Sequence, residues 1–235
     1  VLTTRIYHLI RGGVAPEKIL AVTFTNKAAR EMRERLGAQL GEQVAVWKKG
    51  NLPFVATFHG LGRELLEAYG RSLGVPRHFS IFDRDDSERA IKGALKELGI
   101  DPKEVPPRAI LSRISKAKGE GQTLGEFSDR HGRESFRSRI TADAWRLYEE
   151  TLRKEKALDF DDLIEKPVRL LETDAEVRAL VEERFHYIHI DEFQDTNRVQ
   201  FEILKLIVED HHNLAVVGDD DQAIYRWRGA EVGNI

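Results

Sequence analysis

Four short apolar runs stand out along the chain, Ile19–Phe24, Phe54–Thr57, Tyr187–Ile190 and Leu214–Val217, each ending in polar residues. Continuous rather than alternating apolar character marks strands buried on both faces of a parallel sheet. Three of the runs lead into helical patterns. Thr25 or Asn26 can cap a helix running through Leu36. His59 to Tyr69 repeats Leu61, Leu65, Leu66 and Tyr69, and the stretch after Asn197 repeats Val199, Phe201, Ile203, Leu204 and Ile207. Strand followed by helix, repeated, implies a parallel sheet with helices packed on it.

The middle of the chain reads differently. From about Ser72 to Arg184 the periodicity is helical, with almost no strand signal. Leu95 to Ile100, Ile110 to Ile114, Trp145 to Leu152 and Val177 to Val181 fit amphipathic helices. Pro102, Pro106 and Pro107 punctuate them, and Gly119, Gly121 and Gly125 suggest a loop. The expected architecture is an α/β domain (1–71 and 184–235) interrupted by a helical subdomain (72–183).

Composition narrows the class. The 235 residues are 41% hydrophobic, enough for one large domain or two smaller ones. With no cysteine, disulfides and cysteine-ligated zinc are excluded. No apolar run reaches the ~18 residues of a membrane span, and the first residues resemble neither a secretory signal nor a transit peptide. A cytoplasmic location fits. Net charge is −3, so the chain is no uniformly basic coat for nucleic acid. Positive charge gathers at Lys27 to Arg35 and at Arg108 to Lys118, and acidic residues at 83–88, 159–162 and 219–221. The stretch Arg108 to Lys118 reads equally as a duplex-facing patch or a solvated helix face. Met32 is the one methionine, and the chain is expected to be a piece of a longer protein.

The strand ends carry the chemistry. Tyr187–Ile190 delivers Asp191 and Glu192 where parallel sheets place their ligand sites. One carboxylate there can hold Mg²⁺, and its neighbour can orient or deprotonate a water attacking a phosphate. On the pair alone, an acidic helix cap is the more frequent explanation. Leu214–Val217 leads into Gly218-Asp219-Asp220-Asp221-Gln222 and then Tyr225-Arg226-Trp227-Arg228. Gln222 can donate and accept hydrogen bonds beside a terminal phosphate. Aromatics interleaved with arginines suit a single-strand platform, with core filling as the plain alternative.

The segments Asp191-Glu192-Phe193-Gln194-Asp195-Thr196-Asn197 and 218–230 closely resemble the UvrD/PcrA/Rep group of superfamily 1 DNA helicases. Thr23 to Met32, Thr57-Phe58-His59-Gly60 and Leu158-Asp159-Phe160-Asp161-Asp162-Leu163 resemble further segments of that group, in the same order. The resemblance covers essentially the whole chain. It implies a RecA-like, P-loop NTPase type domain with an inserted all-helical subdomain, and a 3′-to-5′ helicase using ATP and Mg²⁺. Its DNA partner would be single-stranded DNA and the junction with duplex.

Carried over by position, Asp191 holds Mg²⁺, Glu192 activates water, and Gln222 contacts the terminal phosphate. Tyr225 and Trp227 stack on bases and Arg228 supports the strand backbone. Phe24, Thr25, Asn26, Lys27, Phe58 and His59 line the strand's path. For Asp159, Asp161 and Asp162 the residues favour a capped helix start. Ala223 stands where the group usually has serine.

No Gly-x-x-x-x-Gly-Lys-[Ser/Thr] loop occurs. In relatives it lies immediately before a segment like Val1–Ile6. The expectation is a truncated helicase, with the P-loop strand missing, inactive by itself and prone to low solubility or a rearranged sheet. The alternatives are the helicase portion of a RecB/AddA-type recombination nuclease, or a non-enzymatic single-strand-binding module.

Overall fold

The computed structural model describes residues 1–41, 52–131, 135–219 and 221. Along the chain the elements are α1 (Leu2–Arg11), β1 (Ile19–Thr23), α2 (Asn26–Leu40), β2 (Phe54–Thr57), α3 (Phe58–Tyr69), β3 (Ser80–Ile81), α4 (Arg84–Glu97) and α5 (Pro107–Gly119). They continue with α6 (Leu124–His131), α7 (Phe136–Glu155), β4 (Ala157–Leu158), α8 (Asp162–Thr173), α9 (Ala175–Arg184), β5 (Tyr187–Ile190), α10 (Arg198–Val208) and β6 (Leu214–Val216). The chain divides into two compact units, Val1–Leu65 with Val168–Ile235, and Leu66–Pro167. No helix among the described residues is long and apolar enough to cross a membrane.

The first unit is built on a four-stranded sheet of order β2-β1-β5-β6, every pairing parallel. All four strands fall within a residue of the apolar runs that announce them. β1 is buried at all five positions, as a central parallel strand must be. Its odd residues Ile19 and Ala21 join Leu2 and Ile6 of α1, and Ala29, Met32, Leu36 and Leu40 of α2, in one core. Leu20 and Val22 alternate to the opposite face and are equally buried. α2 starts where expected: the Thr25 hydroxyl accepts the Ala28 N–H at 3.1 Å. α10 starts with a capping box, in which Asn197 and Gln200 satisfy each other's backbone N–H groups. On the same unit Arg184 pairs with Glu64 at 2.7 Å and lies over the Phe185 ring, 4.7 Å from its centroid.

Among its described residues the second unit is helical but for a two-residue parallel ladder, β3 with β4, too short to leave a periodic signal. Its core gathers Ile91 and Leu95 of α4, Ile110 and Ile114 of α5, Phe127 of α6, and Trp145, Tyr148 and Leu152 of α7. The loop expected around Gly119, Gly121 and Gly125 is narrower than the glycines suggested. Gly119 closes α5, Gly121 takes a positive φ of 74°, and Gly125 lies inside α6. Glu126 and Thr123 cap that helix reciprocally, outweighing one internal glycine.

A buried ionic cluster organises this unit. Lys118 Nζ donates to Asp159 Oδ2 at 2.8 Å and to Asp162 Oδ1 at 2.9 Å, and lies 3.2 Å from Glu149 Oε1. Tyr148 Oη donates to Asp159 Oδ2 at 3.1 Å and pairs with the Ser87 hydroxyl at 2.9 Å. Asp159 and Asp162 also accept each other's backbone N–H, which caps the start of α8. Burial alone would lower the Lys118 pKa. The surrounding carboxylates outweigh it and hold the ammonium well above its ordinary range. Asp162 is kept low against its own burial by Lys118 and Lys166. Asp159 and Asp161 are raised by burial, Asp161 to about 6. Lys118 therefore leaves the basic stretch Arg108 to Lys118: it is an interior cation, not part of a surface patch.

Candidate functional site at the carboxyl edge of the sheet

Parallel pairing brings every strand's carboxyl end to one edge. The register sets Val22 beside Ile190 and Thr23 beside Thr57. Neighbouring strands are spaced about 4.8 Å apart. The carboxylates after β5 and the polar segments after β1 and β2 therefore emerge side by side.

The Asp191–Glu192 turn is pinned on both flanks. The Asp191 N–H donates to the Val22 carbonyl at 2.9 Å, and the Phe193 N–H donates to the Val217 carbonyl at 3.0 Å. The Val217 N–H donates to the Ile190 carbonyl at 2.8 Å. Glu192 takes a left-handed conformation, φ 53° and ψ 45°, uncommon for a residue with a side chain. Such strain is tolerated where surrounding bonds over-determine the backbone, as they do here. The turn leaves Asp191 half-buried and Glu192 exposed.

Burial, then the neighbouring Glu192 charge, raises the Asp191 pKa; a hydrogen bond from the Glu192 backbone and the charge of Arg35 offset this in part. Asp195 is raised by burial and again by Glu192, and its Oδ1 is buried without a hydrogen-bond partner. The Glu192 charge thus acts on both Asp191 and Asp195. A cation nearby would relieve that repulsion. Among the described residues no group of three or more metal-binding side chains is preassembled. The chemistry fits a hard cation held by one or two carboxylates, with water and phosphate completing its shell.

Sequence reading missed two residues that shape this turn. Gln194 is 1% exposed; its Nε2 donates to Glu192 Oε2 at 2.7 Å and its Oε1 accepts the Asp219 N–H at 3.0 Å. Gly218 makes room for it, since a Cβ there would stand 2.6 Å from Gln194 Oε1. A glycine at the close of an apolar strand was the available signal for a close approach. Nothing in the periodicity marks a buried glutamine.

The segments assigned to DNA divide by exposure. Thr25, Asn26 and Lys27 are exposed and Phe24 is half-buried. The Thr25 hydroxyl is occupied in capping α2, and Lys27 lies 3.9 Å from Glu31 in a solvent-exposed pair of little strength. Phe58 is 4% exposed, so its ring offers no open face for stacking. His59 is half-buried, and burial lowers its pKa. It is thus neutral at pH 7 and reads as a hydrogen-bonding group rather than a phosphate-pairing cation. Gln222, Tyr225, Trp227 and Arg228 lie outside the described residues. A cavity of about 470 Å³ sits at the opposite edge, by Gly13, Lys18, His186 and Tyr187, away from the carboxylates.

The whole chain, residues 1–235, matches the UvrD/REP helicase N-terminal domain. The chain belongs to that family. Its α/β architecture with a parallel sheet is the RecA-like fold that the resemblance implied. Among relatives of this UvrD/REP domain, the ATP-dependent DNA helicase PcrA of Bacillus subtilis is 44% identical over 237 residues. The proteins of the same name from Leuconostoc citreum and Staphylococcus aureus are each 40% identical, over 238 and 237 residues. Each alignment takes in 100% of this chain and 31% of the relative. The chain thus spans about a third of the length of the curated relatives it matches.

Proposed function

We propose that this UvrD/REP domain is the ATPase-bearing portion of an ATP-dependent DNA helicase. The enzyme moves 3′ to 5′ on single-stranded DNA, opens duplex at the junction, and works in the cytoplasm. The observation that carries this reading is the Asp191–Glu192 turn at the end of β5, beside the strand-end segments after β1 and β2. The printed names of the relatives support the helicase reading over a recombination nuclease.

In this reading Asp191 would hold Mg²⁺, which would supply charge neutralisation on the phosphates, and Glu192 orients the attacking water and takes its proton. Glu192 is exposed, and its carboxylate is held by Gln194 at 2.7 Å, which supports the role of a fixed base open to solvent. Gln222 reads the terminal phosphate, and Tyr225, Trp227 and Arg228 grip the strand with Phe24, Thr25, Asn26, Lys27 and His59. Phe58 serves by packing beneath that path.

The test is unwinding by the full-length protein on duplexes carrying a 3′ or a 5′ single-stranded tail, with and without Mg²⁺ and ATP. Opening of the 3′-tailed substrate alone, dependent on both, supports the reading. Equal opening of both substrates, or opening without ATP, overturns it.

A further inference from the structure

A continuous run of hydrogen bonds joins the Glu192 carboxylate to the backbone that leads toward Gln222. Gln194 donates from Nε2 to Glu192 Oε2 at 2.7 Å and accepts at Oε1 from the Asp219 N–H at 3.0 Å. Asp219 Oδ1 accepts in turn from the Asp221 N–H at 3.1 Å. Gln194 cannot drift between these partners. Its backbone lies in the short helical turn Phe193–Asp195, closed by Asp195 N–H to the Glu192 carbonyl and Thr196 N–H to the Phe193 carbonyl, both 3.0 Å. Phe193 is tied to Val217 at the end of β6, and Gly218 presses its bare Cα against the Gln194 amide.

The chemistry demands an amide here. One end of the side chain must donate to a carboxylate while the other accepts from a backbone N–H. Glutamate would set a second carboxylate against Glu192. Lysine would have nothing with which to accept from Asp219. Methionine would fill the space and make neither bond.

The geometry points to Gln194 as a positioning residue that couples the water-activating carboxylate to the 218–221 backbone. This rests on the helicase reading above. A shift of the 218–221 backbone pulls on the Gln194 amide, and the amide re-aims Glu192, already held at φ 53°. DNA bound by the residues that follow Asp221 in sequence thereby changes how well Glu192 is aimed. The same path runs in reverse when the nucleotide site empties. Misplacing a reacting group by about 1 Å costs on the order of 100-fold in rate, so a small movement suffices for control.

The experiment uses the full-length protein with Gln194→Met, Gln194→Glu and, as control, Glu192→Gln. It measures kcat and nucleotide KM with and without saturating single-stranded DNA, and base pairs opened per ATP. Gln194→Met keeps the volume and removes both bonds; Gln194→Glu keeps the acceptor toward Asp219 and removes the donor. Both are expected to lose about 10- to 100-fold in DNA-stimulated kcat, with nucleotide KM within about threefold and fewer base pairs opened per ATP. A purely packing role would spare Gln194→Met on every readout, and that result overturns the inference. Should Gln194→Met fail to fold, Gln194→Glu decides the question by the same readouts. If Glu192→Gln itself still turns over ATP, the catalytic reading fails. If Glu192→Gln is dead and the Gln194 variants match the parent, only the coupling fails.

Discussion

Replacing Lys118 with methionine isolates the buried cluster of the second unit. The substitution preserves the stem and deletes the ammonium that Asp159 and Asp162 approach at 2.8 and 2.9 Å. Those carboxylate side chains are 6% and 1% exposed, so water cannot replace the cation. Lys166, 3.4 Å from Asp162, still serves one of them. Asp159 keeps the hydroxyl of Tyr148 and the Asp162 N–H. Breaking a buried pair by removing one partner costs about 3–5 kcal/mol. The orphaned group can escape by taking a proton. At pH 7 that costs about 4 kcal/mol from an ordinary carboxylate pKa, which sets a similar ceiling. The expected loss is therefore about 4 kcal/mol, much of a typical domain's stability. Urea unfolding followed by tryptophan fluorescence reads it, since Trp145 lies in this core and donates to Glu149 at 3.1 Å. At a slope of about 2 kcal/mol per molar, the midpoint falls by about 2 M. The penalty must also shrink on acidification. The variant's folded state holds a raised carboxyl pKa, so it binds protons that the unfolded state has lost. A loss under about 1 kcal/mol, or one equal at pH 7 and pH 4.5, would refute the assignment of an interior ion cluster.

Two further outcomes follow from single side chains. Gly218→Ala brings a Cβ to 2.6 Å from Gln194 Oε1 and 3.2 Å from the Gln194 nitrogen, so chemical denaturation should show a loss of about 1–3 kcal/mol. The same variant should lower ATP turnover in the full-length protein, and full activity at unchanged stability would contradict the close approach. Asp161, raised to about 6 by burial and by Asp159, binds a proton in the folded state between about pH 4 and 6 that the unfolded state has released. Stability therefore declines as pH rises through that window. Asp161→Asn should remove the decline and stabilise at pH 7; a variant whose pH profile overlays the parent's would show that Asp161 does not titrate there.

The sheet was legible because its four strands read as unbroken apolar runs from Ile19, Phe54, Tyr187 and Leu214, most strongly in β1, which is buried on both faces. The starts of α2 and α10 were legible because Thr25 and Asn197 cap through local chemistry. Relations between distant residues were not legible. Lys118 reads as one more surface cation until α5 meets Asp159, 41 positions away. Gln194 reads as a polar turn residue until β6 brings Asp219 to it, 25 positions away. Gly125 reads as a loop residue because the reciprocal cap formed by Thr123 and Glu126 has to be weighed against it. At the site, the resemblance named Phe58 for the strand's path, and the fold leaves it only 4% exposed.

One side chain carries the whole account of turnover, the Glu192 carboxylate that Gln194 holds and Asp191 adjoins. The direct measurement is single-turnover ATP hydrolysis by full-length Glu192→Gln with single-stranded DNA present, alongside nucleotide affinity measured by titration. Retained affinity with hydrolysis slowed by about 100-fold or more is the predicted result. Hydrolysis within a few-fold of the parent would contradict it and move the chemistry away from the end of β5.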